Sequence, residues 1–472
     1  MKDRYIATVD LGTGKLALSV ARVNGEDVQV LLYREMPSDG VRYGRIFNPM
    51  LASRPLKAAI ASAEEELGIR IRQVVIGLPR YGVRQETASA STQRSDPGSC
   101  ISQAEIDAVK EMALDTYPIE DEAHEEMYGA VAQSFSTEDA LNFSEQDVVG
   151  MPSASLEGNF KVFVGAKKAV SNIDIMLGNA GVAEAAKLFL PMSTAEAVLT
   201  GEEKENGVAL VEMGAGVTSV TIYQDNILRY YYAIPFGGRN VTTDIKYECG
   251  FTERLAENIK LAFGACMPEK LQNMSEKVLQ IRDEQDGTSQ QLSVKYLSEI
   301  ITARVREIMD AILFKVQESG YADKLRNGVV LTGGCANLVN CGNFIKQMSG
   351  YNVRIGYPRA RRLSADGCPG IGETGAAATV GMLLVATADT HIDCASEKSQ
   401  KAAAKKPAAA PEKQEEEPLK TQLFSDDEIE VVEPPKKKEK QPRQKPDKGI
   451  FTWTKKKFTE FMGDLYDGMD EQ

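Results

Sequence analysis

The 472-residue sequence predicts an α/β protein built from two related lobes, on three observations. Strand-like and helix-like stretches alternate through the first 394 residues, as they do in α/β domains. A strand, a tight glycine turn and a second strand occur twice, at Tyr5–Val23 and Val208–Tyr223, which indicates an internal duplication. Another glycine turn, Thr332–Asn337, follows a strand and leads into a helix. The length exceeds what one hydrophobic core normally supports, so we expect at least two domains.

Composition excludes several classes of protein. With 55 Lys and Arg against 68 Asp and Glu, the formal net charge is −13, which excludes a wholly basic nucleic-acid binder. Only His124 and His391 provide imidazoles, without the spacing of a His-zinc site or a Ser-His-Asp triad. Seven scattered cysteines without a C-x-x-C pair indicate a reducing compartment and no structural zinc. The N-terminal residues are typical of a strand and not of a signal peptide, so we do not expect export.

The glycine turns suggest an anion site. A hairpin turn rich in glycine can direct several backbone N–H groups at one anion, because glycine has no Cβ and tolerates positive φ. The first glycine turn is Gly12–Gly14, the second is Gly214–Gly216, and two such turns facing each other can hold a polyphosphate. Asp10, at the end of the strand before the first turn, is placed to hold Mg²⁺ through water. One such turn alone is more often only a hairpin, whereas three in order are a more specific signal.

These motifs carry a family resemblance. Asp10–Lys15, Glu212–Thr218 and Thr332–Gly334 resemble the phosphate-1, phosphate-2 and adenosine motifs of the actin/Hsp70/sugar-kinase superfamily. Within it, the sequence is similar to the FtsA family of bacterial cell-division proteins from residue 5 to about 388. The stretches that carry this similarity are Asn226–Arg229, Ile234–Ile245, Ala256–Lys260, Val329–Gly334 and Val353–Pro358.

The resemblance implies an actin-like ATPase fold with two duplicated lobes, and ATP and Mg²⁺ as cofactors. It places Asp10, Gly12, Thr13, Gly14, Lys15, Gly214, Ala215, Gly216 and Thr218 at the phosphates, and Glu257, Lys260, Gly333, Gly334 and Asn337 at the nucleoside. Asp10 and Glu212 would position the metal and the attacking water. Glu212 stands where the family usually has Asp, and the longer side chain could displace that water from in-line geometry. We therefore expect ATP binding with weak or no hydrolysis.

The resemblance also implies a domain order. We expect the first lobe at 1–83 and 162–205, interrupted by an inserted FtsA-type subdomain (SHS2-like) at 84–161, and the second lobe at 206–394. A part of the second lobe, about 248–321, would dock the C-terminal tail of FtsZ. A helix at Glu299–Gln317 has the periodicity of a core-packed helix, and its interleaved Arg304 and Arg306 would contact that acidic tail.

The apolar stretch Gly375–Ala388 is too short to span a membrane and predicts a buried helix.

The C-terminal end differs from the rest. Residues 395–448 are rich in Ala, Lys, Glu and Pro and predict a disordered charged linker. Residues 434–457 carry a net charge of +8. Beyond them, 449–469 predicts an amphipathic helix that attaches reversibly to anionic lipid, or alternatively docks on a partner or on the protein itself. The membrane-binding residues would be Ile450, Phe451, Phe458, Phe461, Met462 and Leu465, with Trp453 off the centre of the face.

Together these features predict a cytoplasmic, ATP-binding protein that polymerises at the inner face of the cell membrane. It would be peripheral there, at the division septum, would anchor FtsZ filaments through its C-terminal helix and would recruit other division proteins through the inserted subdomain, without binding nucleic acid. A sugar-kinase or exopolyphosphatase-type enzyme shares the three turns and is the alternative. An Hsp70-like chaperone would need a peptide-binding β domain, which does not follow here.

Overall fold

The computed structural model describes residues 3–25, 27–271, 276–282, 289–359, 363–365, 367–397 and 429–432. All of them belong to one compact unit within residues 1–432. In these described segments no helix is both long enough and apolar enough to cross a membrane.

The elements follow each other in chain order. The strands are β1 (Arg4–Leu11), β2 (Lys15–Asn24), β3 (Asp27–Pro37), β4 (Val41–Arg42), β5 (Arg45–Ile46), β6 (Ile69–Ile71), β7 (Gln73–Gly77), β8 (Arg84–Gln93), β9 (Glu125–Ser136), β10 (Ser155–Ala166), β11 (Ala183–Leu188), β12 (Val208–Met213), β13 (Thr218–Gln224), β14 (Ile227–Ile234), β15 (Val278–Arg282), β16 (Ser289–Ser293), β17 (Val329–Thr332), β18 (Val353–Ile355), β19 (Leu363–Ser364), β20 (Ala395–Glu397) and β21 (Ile429–Val432). The helices are α1 (Pro49–Leu67), α2 (Gln103–Thr116), α3 (Glu145–Val148), α4 (Lys167–Ala180), α5 (Leu190–Val198), α6 (Gly201–Asn206), α7 (Gly238–Cys249), α8 (Glu253–Phe263), α9 (Val294–Glu318), α10 (Cys341–Ser349) and α11 (Ala377–Ala388).

Two sheets repeat one topology. The first has the order β11-β7-β1-β2-β3-β19, in which β1, β2 and β3 form an antiparallel meander and β7 and β11 add in parallel beside β1. The second has the order β18-β17-β12-β13-β14, again a meander followed by two parallel strands. Parallel neighbours in a sheet must be joined by crossover connections. The same strand arrangement occurs in both sheets, which agrees with the duplicated sequence pattern. The predicted α/β fold with two duplicated lobes is confirmed.

A smaller sheet interrupts the first lobe. Strands β8, β10 and β9 pair antiparallel, and α2 packs on β8 and β10 around its own apolar cluster, which includes Ile106, Phe135 and Phe160. Helix α2 begins with a capping box between Ser102 and Glu105. Strand β9 ends at Ser136, and after a turn Phe143 pairs with Phe135 in an isolated bridge.

Two predicted core helices are confirmed. Helix α9 buries the apolar face that its periodicity indicated, including Ile301, Val305 and Met309. Helix α11 is buried along most of its length and packs on α5 and β1. There a Cβ on Gly381 would lie 1.9 Å from the carbonyl oxygen of Ser193, so the two helices approach as closely as only glycine permits.

The predicted disordered linker needs a correction at two places. Ala395–Glu397 forms β20, which pairs with β6, and Ile429–Val432 forms β21, which pairs with β15. In the second case the composition of 395–448, averaged over its whole length, hides a short run rich in β-branched residues, which favour strands. The other linker residues and the predicted amphipathic helix at 449–469, with its membrane-binding residues, lie outside the described residues.

Candidate functional site

The first and second glycine turns close equivalent hairpins. The N–H of Gly12 donates to the carbonyl of Lys15 at 2.9 Å, and the N–H of Gly214 donates to the carbonyl of Val217 at the same distance. Asp10 pairs in register with Ala17 on one hairpin, and Glu212 pairs with Ser219 on the other. The two carboxylates therefore occupy equivalent positions, each two residues before its turn.

The two turns touch each other. A Cβ on Gly14 would lie 3.0 Å from the Cβ of Ala215, and a Cβ on Gly216 would lie 2.6 Å from the hydroxyl oxygen of Thr13. The Thr13 hydroxyl in turn accepts a hydrogen bond from the N–H of Gly44 at 2.9 Å. Thr218 begins the return strand, and its buried hydroxyl donates to the carbonyl of Phe236 at 2.8 Å. The duplication thus brings together the phosphate-side residues that the sequence predicted.

An arginine lies between the two carboxylates. Arg80 follows β7, and its Nη2 lies 2.8 Å from Oε1 of Glu212 while its Nη1 lies 3.9 Å from Oδ1 of Asp10. Glu212 also accepts a hydrogen bond from the Thr194 hydroxyl at 3.1 Å. Burial, together with the negative charge of Asp10, raises the pKa of Glu212, and Arg80 opposes that rise. Burial works against the charged form of Arg80, but the attraction of Glu212 and Asp10 outweighs it and raises the Arg80 pKa.

Lys15 reaches from the first turn towards the third. Its ammonium group is hydrogen-bonded to the Glu35 carboxylate, which also accepts from the Tyr33 hydroxyl. A Cβ on Gly375 would lie 2.9 Å from Nζ of Lys15 and 3.9 Å from Cα of Gly334. Lys15 therefore lies near the third glycine turn, Thr332–Asn337, as well as near the first.

A buried lysine belongs to the nucleoside wall, the set of residues predicted to contact the nucleoside (Glu257, Lys260, Gly333, Gly334 and Asn337). Nζ of Lys260 donates to Glu257 Oε2 at 2.7 Å, to the Thr242 hydroxyl at 2.9 Å and to the Gly238 carbonyl at 3.1 Å. Gly238 begins α7, and a Cβ there would lie 2.7 Å from Sγ of Cys335 in the third turn. Burial raises the pKa of the Cys335 thiol to about 11, so it stays protonated at neutral pH.

The third glycine turn is held by Thr374. The Thr374 hydroxyl lies 2.9 Å from both the Gly333 carbonyl and Oδ1 of Asn337. Gly333 has a φ of 88°, and a Cβ there would lie 2.5 Å from the carbonyl of Met213 at the end of β12. Glycine is required at this position for both reasons, and the turn lies directly against the second hairpin.

The two arginines of α9 are engaged within the protein. Arg304 forms a bidentate pair with Asp244, at 2.6 and 2.8 Å, and contacts Glu307 at 2.7 Å. The hydrogen bonds that Arg304 donates to Asp244 raise the pKa of the Arg304 guanidinium. The guanidinium of Arg306 lies 4.9 Å from the centre of the Phe344 ring, within the range of a cation–π contact.

Sequence reasoning missed Arg80, Thr194, Thr242 and Thr374. Arg80 had a usable signal, because it follows a buried strand whose parallel neighbour ends near Asp10, and the carboxyl ends of parallel strands meet at one sheet edge. The threonines had none, because each reaches the site from an element whose position depends on tertiary packing.

The fold is actin-like, with duplicated lobes whose glycine turns meet and a third turn beside them. In its fold, the chain is similar to the solved PilM-PilN type IV pilus biogenesis complex, with a TM-score of 0.56 and 15% identity over 80% of this chain and 98% of that one.

Sequence comparison finds a similarity to one particular family. The model of the family "Cell division protein FtsA" matches residues 209–376. Similar proteins include cell division protein FtsA of Neisseria meningitidis, 28% identical over 76% of this chain and 85% of that protein. FtsA of Borreliella burgdorferi is 28% identical over 76% and 86%, and FtsA of Streptococcus pneumoniae is 26% identical over 76% of both. The sequence is therefore similar to the FtsA family of cell division proteins.

Proposed function

We propose that the protein binds ATP where the glycine turns of its two lobes meet, and that it polymerises on the inner face of the cell membrane and anchors FtsZ filaments there. The proposal of nucleotide binding rests on two equivalent hairpins with the turns Gly12–Gly14 and Gly214–Gly216. These turns are in contact, Gly14 with Ala215 and Gly216 with Thr13. A nucleotide that contacts both turns favours the conformation in which they are close, so ATP acts as a clasp between the lobes.

The residues present fit a nucleotide better than they fit the expected Mg²⁺. Each of the three turns contains glycines, which have no Cβ to obstruct the close approach of phosphate or ribose. By contrast, both carboxylates that would serve the metal already face a guanidinium. Within the described segments no three His, Cys, Asp or Glu side chains come together as a metal site. We therefore assign Mg²⁺ no step here, and we propose weak or no ATP hydrolysis.

Exposed apolar side chains in the second lobe support the proposal of FtsZ docking. Leu261 on α8 and Phe314 on α9 are exposed, as is Tyr296 near the start of α9. An acidic peptide that uses Arg304 would have to compete with Asp244, so we expect Arg306 to contribute more to such a contact.

Nucleotide binding is tested by Gly214→Asp in the full-length protein. The new carboxylate would face phosphate, and we expect affinity for a fluorescent ATP analogue to fall by at least about tenfold, consistent with loss of about 1.4 kcal/mol or more. Gly178→Asp is the matched control, because a Cβ there meets no atom within 4 Å. Unchanged ATP affinity in Gly214→Asp would show that the second turn is only a turn.

The division role is tested by sedimentation of purified FtsZ with vesicles that contain phosphatidylglycerol. We expect FtsZ to pellet with the vesicles only when this protein is present. Turnover of ATP with small hydroxyl substrates, without such pelleting, would instead identify a sugar-kinase type of enzyme.

A further inference from the structure

Arg80 is a buried cation at the junction of the two lobes. Its side chain is 12% exposed, and it comes from the segment after β7 of the first sheet, whereas Glu212 belongs to β12 of the second. Asp10, on β1, completes the group at 3.9 Å. The three side chains together carry a net charge of −1.

The surroundings fix the arginine in place. Its own carbonyl accepts a hydrogen bond from the hydroxyl of Tyr231, which is fully buried on β14, and Thr194 orients the opposing carboxylate of Glu212. Lys15 is directed away to Glu35, and Lys260 to Glu257, so neither of these cations shares the two carboxylates.

Part of the hydrogen-bonding capacity of the group is not used within the described part of the chain. Nε of Arg80 and Oδ1 of Asp10 are buried and have no hydrogen-bond partner among the described residues. A guanidinium presents five donors in a planar fork that suits phosphate oxygens, so an unused donor at the base of two glycine turns indicates an anion as its ligand.

A divalent cation would be disfavoured at the same place. Mg²⁺ bound with phosphates is usually held by one or two carboxylates, and here a positive charge already lies between the two available. A second cation would be repelled by the guanidinium in a buried environment, where charge interactions are weakly screened.

We propose that Arg80 takes the place of the divalent cation, so that nucleotide binding by this protein does not depend on Mg²⁺. The guanidinium neutralises Asp10 and Glu212, donates to the phosphates and ties the first lobe to the second. This inference rests on the proposed binding of ATP.

The test compares the affinity of the full-length protein for a fluorescent ATP analogue in Mg²⁺ and in EDTA. We expect the two dissociation constants of the unmodified protein to agree within about threefold. In Arg80→Gln the two carboxylates become available to metal, and we expect Mg²⁺ to tighten binding by about tenfold or more, within the usual range of coupling between two ligands. Arg80→Lys keeps a positive charge and should remain insensitive to Mg²⁺.

Arg84→Gln is the matched control, because Arg84 pairs with Glu125 and Glu86 in the inserted sheet and not with the site. Circular dichroism and urea midpoints check the folding of each variant, and the unmodified protein tests the proposal even where Arg80→Gln does not fold. Strong Mg²⁺ dependence in the unmodified protein would overturn this inference and leave ATP binding intact. Absence of binding in both conditions would overturn the proposed function, and the inference with it.

Discussion

At the scale of the residue, the site depends on charges that the protein itself compensates. Lys260 is 8% exposed, and a buried ammonium is stable only when its three donors find acceptors. Glu257, Thr242 and Gly238 supply those acceptors from α8 and α7. The same lysine therefore contributes both to the packing of the second lobe and to the shape of the nucleoside wall.

Lys260→Met should weaken both properties. The methionine fills similar space, but it leaves the Glu257 carboxylate and the Thr242 hydroxyl without their shared donor, at a cost of about 1–3 kcal/mol in the free energy of unfolding. We expect a lower urea midpoint and weaker binding of the fluorescent ATP analogue. Lys168→Met on the exposed surface of α4 is the control. If Lys260→Met matched this control in both measurements, Lys260 would be neither a structural nor a binding residue.

At the scale of the element, α2 of the inserted subdomain is fixed at its first turn. The Glu105 carboxylate accepts from the Ser102 N–H at 2.8 Å and from Nε of Arg94 at 2.8 Å. The hydrogen bond from Arg94, followed by those from Ser102, lowers the pKa of Glu105 from 4.5 to about 2. This one carboxylate joins the start of α2 to the segment after β8.

This pKa shift predicts a pH-dependent contribution to stability. A carboxyl whose pKa is lower in the folded state stabilises the fold above its unfolded pKa, near 4.5, and loses that effect as the pH falls towards about 2. We expect Glu105→Gln to lower the free energy of unfolding at pH 7 by less than about 1 kcal/mol, because the pair is partly exposed. The difference from the unmodified protein should shrink at pH 3, as measured by urea unfolding. Glu111→Gln, on the exposed surface of the same helix, should show no such difference, and a gap for Glu105→Gln that is constant with pH would contradict this account.

Elements with a strong local pattern could be predicted, whereas contacts between distant elements could not. The periodicity of α9 and α11 and the repeated hairpins are properties of single stretches of chain, and they fold as predicted. Arg80 is 70 residues from Asp10 and 132 from Glu212 in sequence, so their charge compensation depends on the pairing of β1 with β7 and on the docking of the lobes. The strand Ile429–Val432 was missed because its partner, β15, lies some 150 residues away.

At the scale of the whole molecule, charge separates the folded lobes from the C-terminal end. Residues 1–394 carry a net charge of −12, whereas 434–457 carry +8. Anionic lipid repels the former and attracts the latter at distances up to about a Debye length, roughly 10 Å at 0.1 M salt. In the proposed attachment, the residues after β21 therefore make the whole contact with the membrane.

Deletion of 449–472 should release the protein from anionic vesicles. The deleted segment holds the apolar residues of the predicted amphipathic helix, and burial of six such side chains in lipid at about 1.5–3 kcal/mol each supplies on the order of 10 kcal/mol before immobilisation costs. The basic residues that remain each add only about 1 kcal/mol near the surface, and salt screens them. We expect the full-length protein to sediment with phosphatidylglycerol vesicles and the truncated protein to stay in the supernatant at 0.15 M salt.

Neutral phosphatidylcholine vesicles provide the control for charge, and they should retain less of the full-length protein. Because the deletion leaves the glycine turns intact, both forms should bind the ATP analogue equally, which separates loss of the membrane contact from loss of the fold. Equal sedimentation of the two forms would place the membrane contact elsewhere and leave the helix to dock on a partner or on the protein itself.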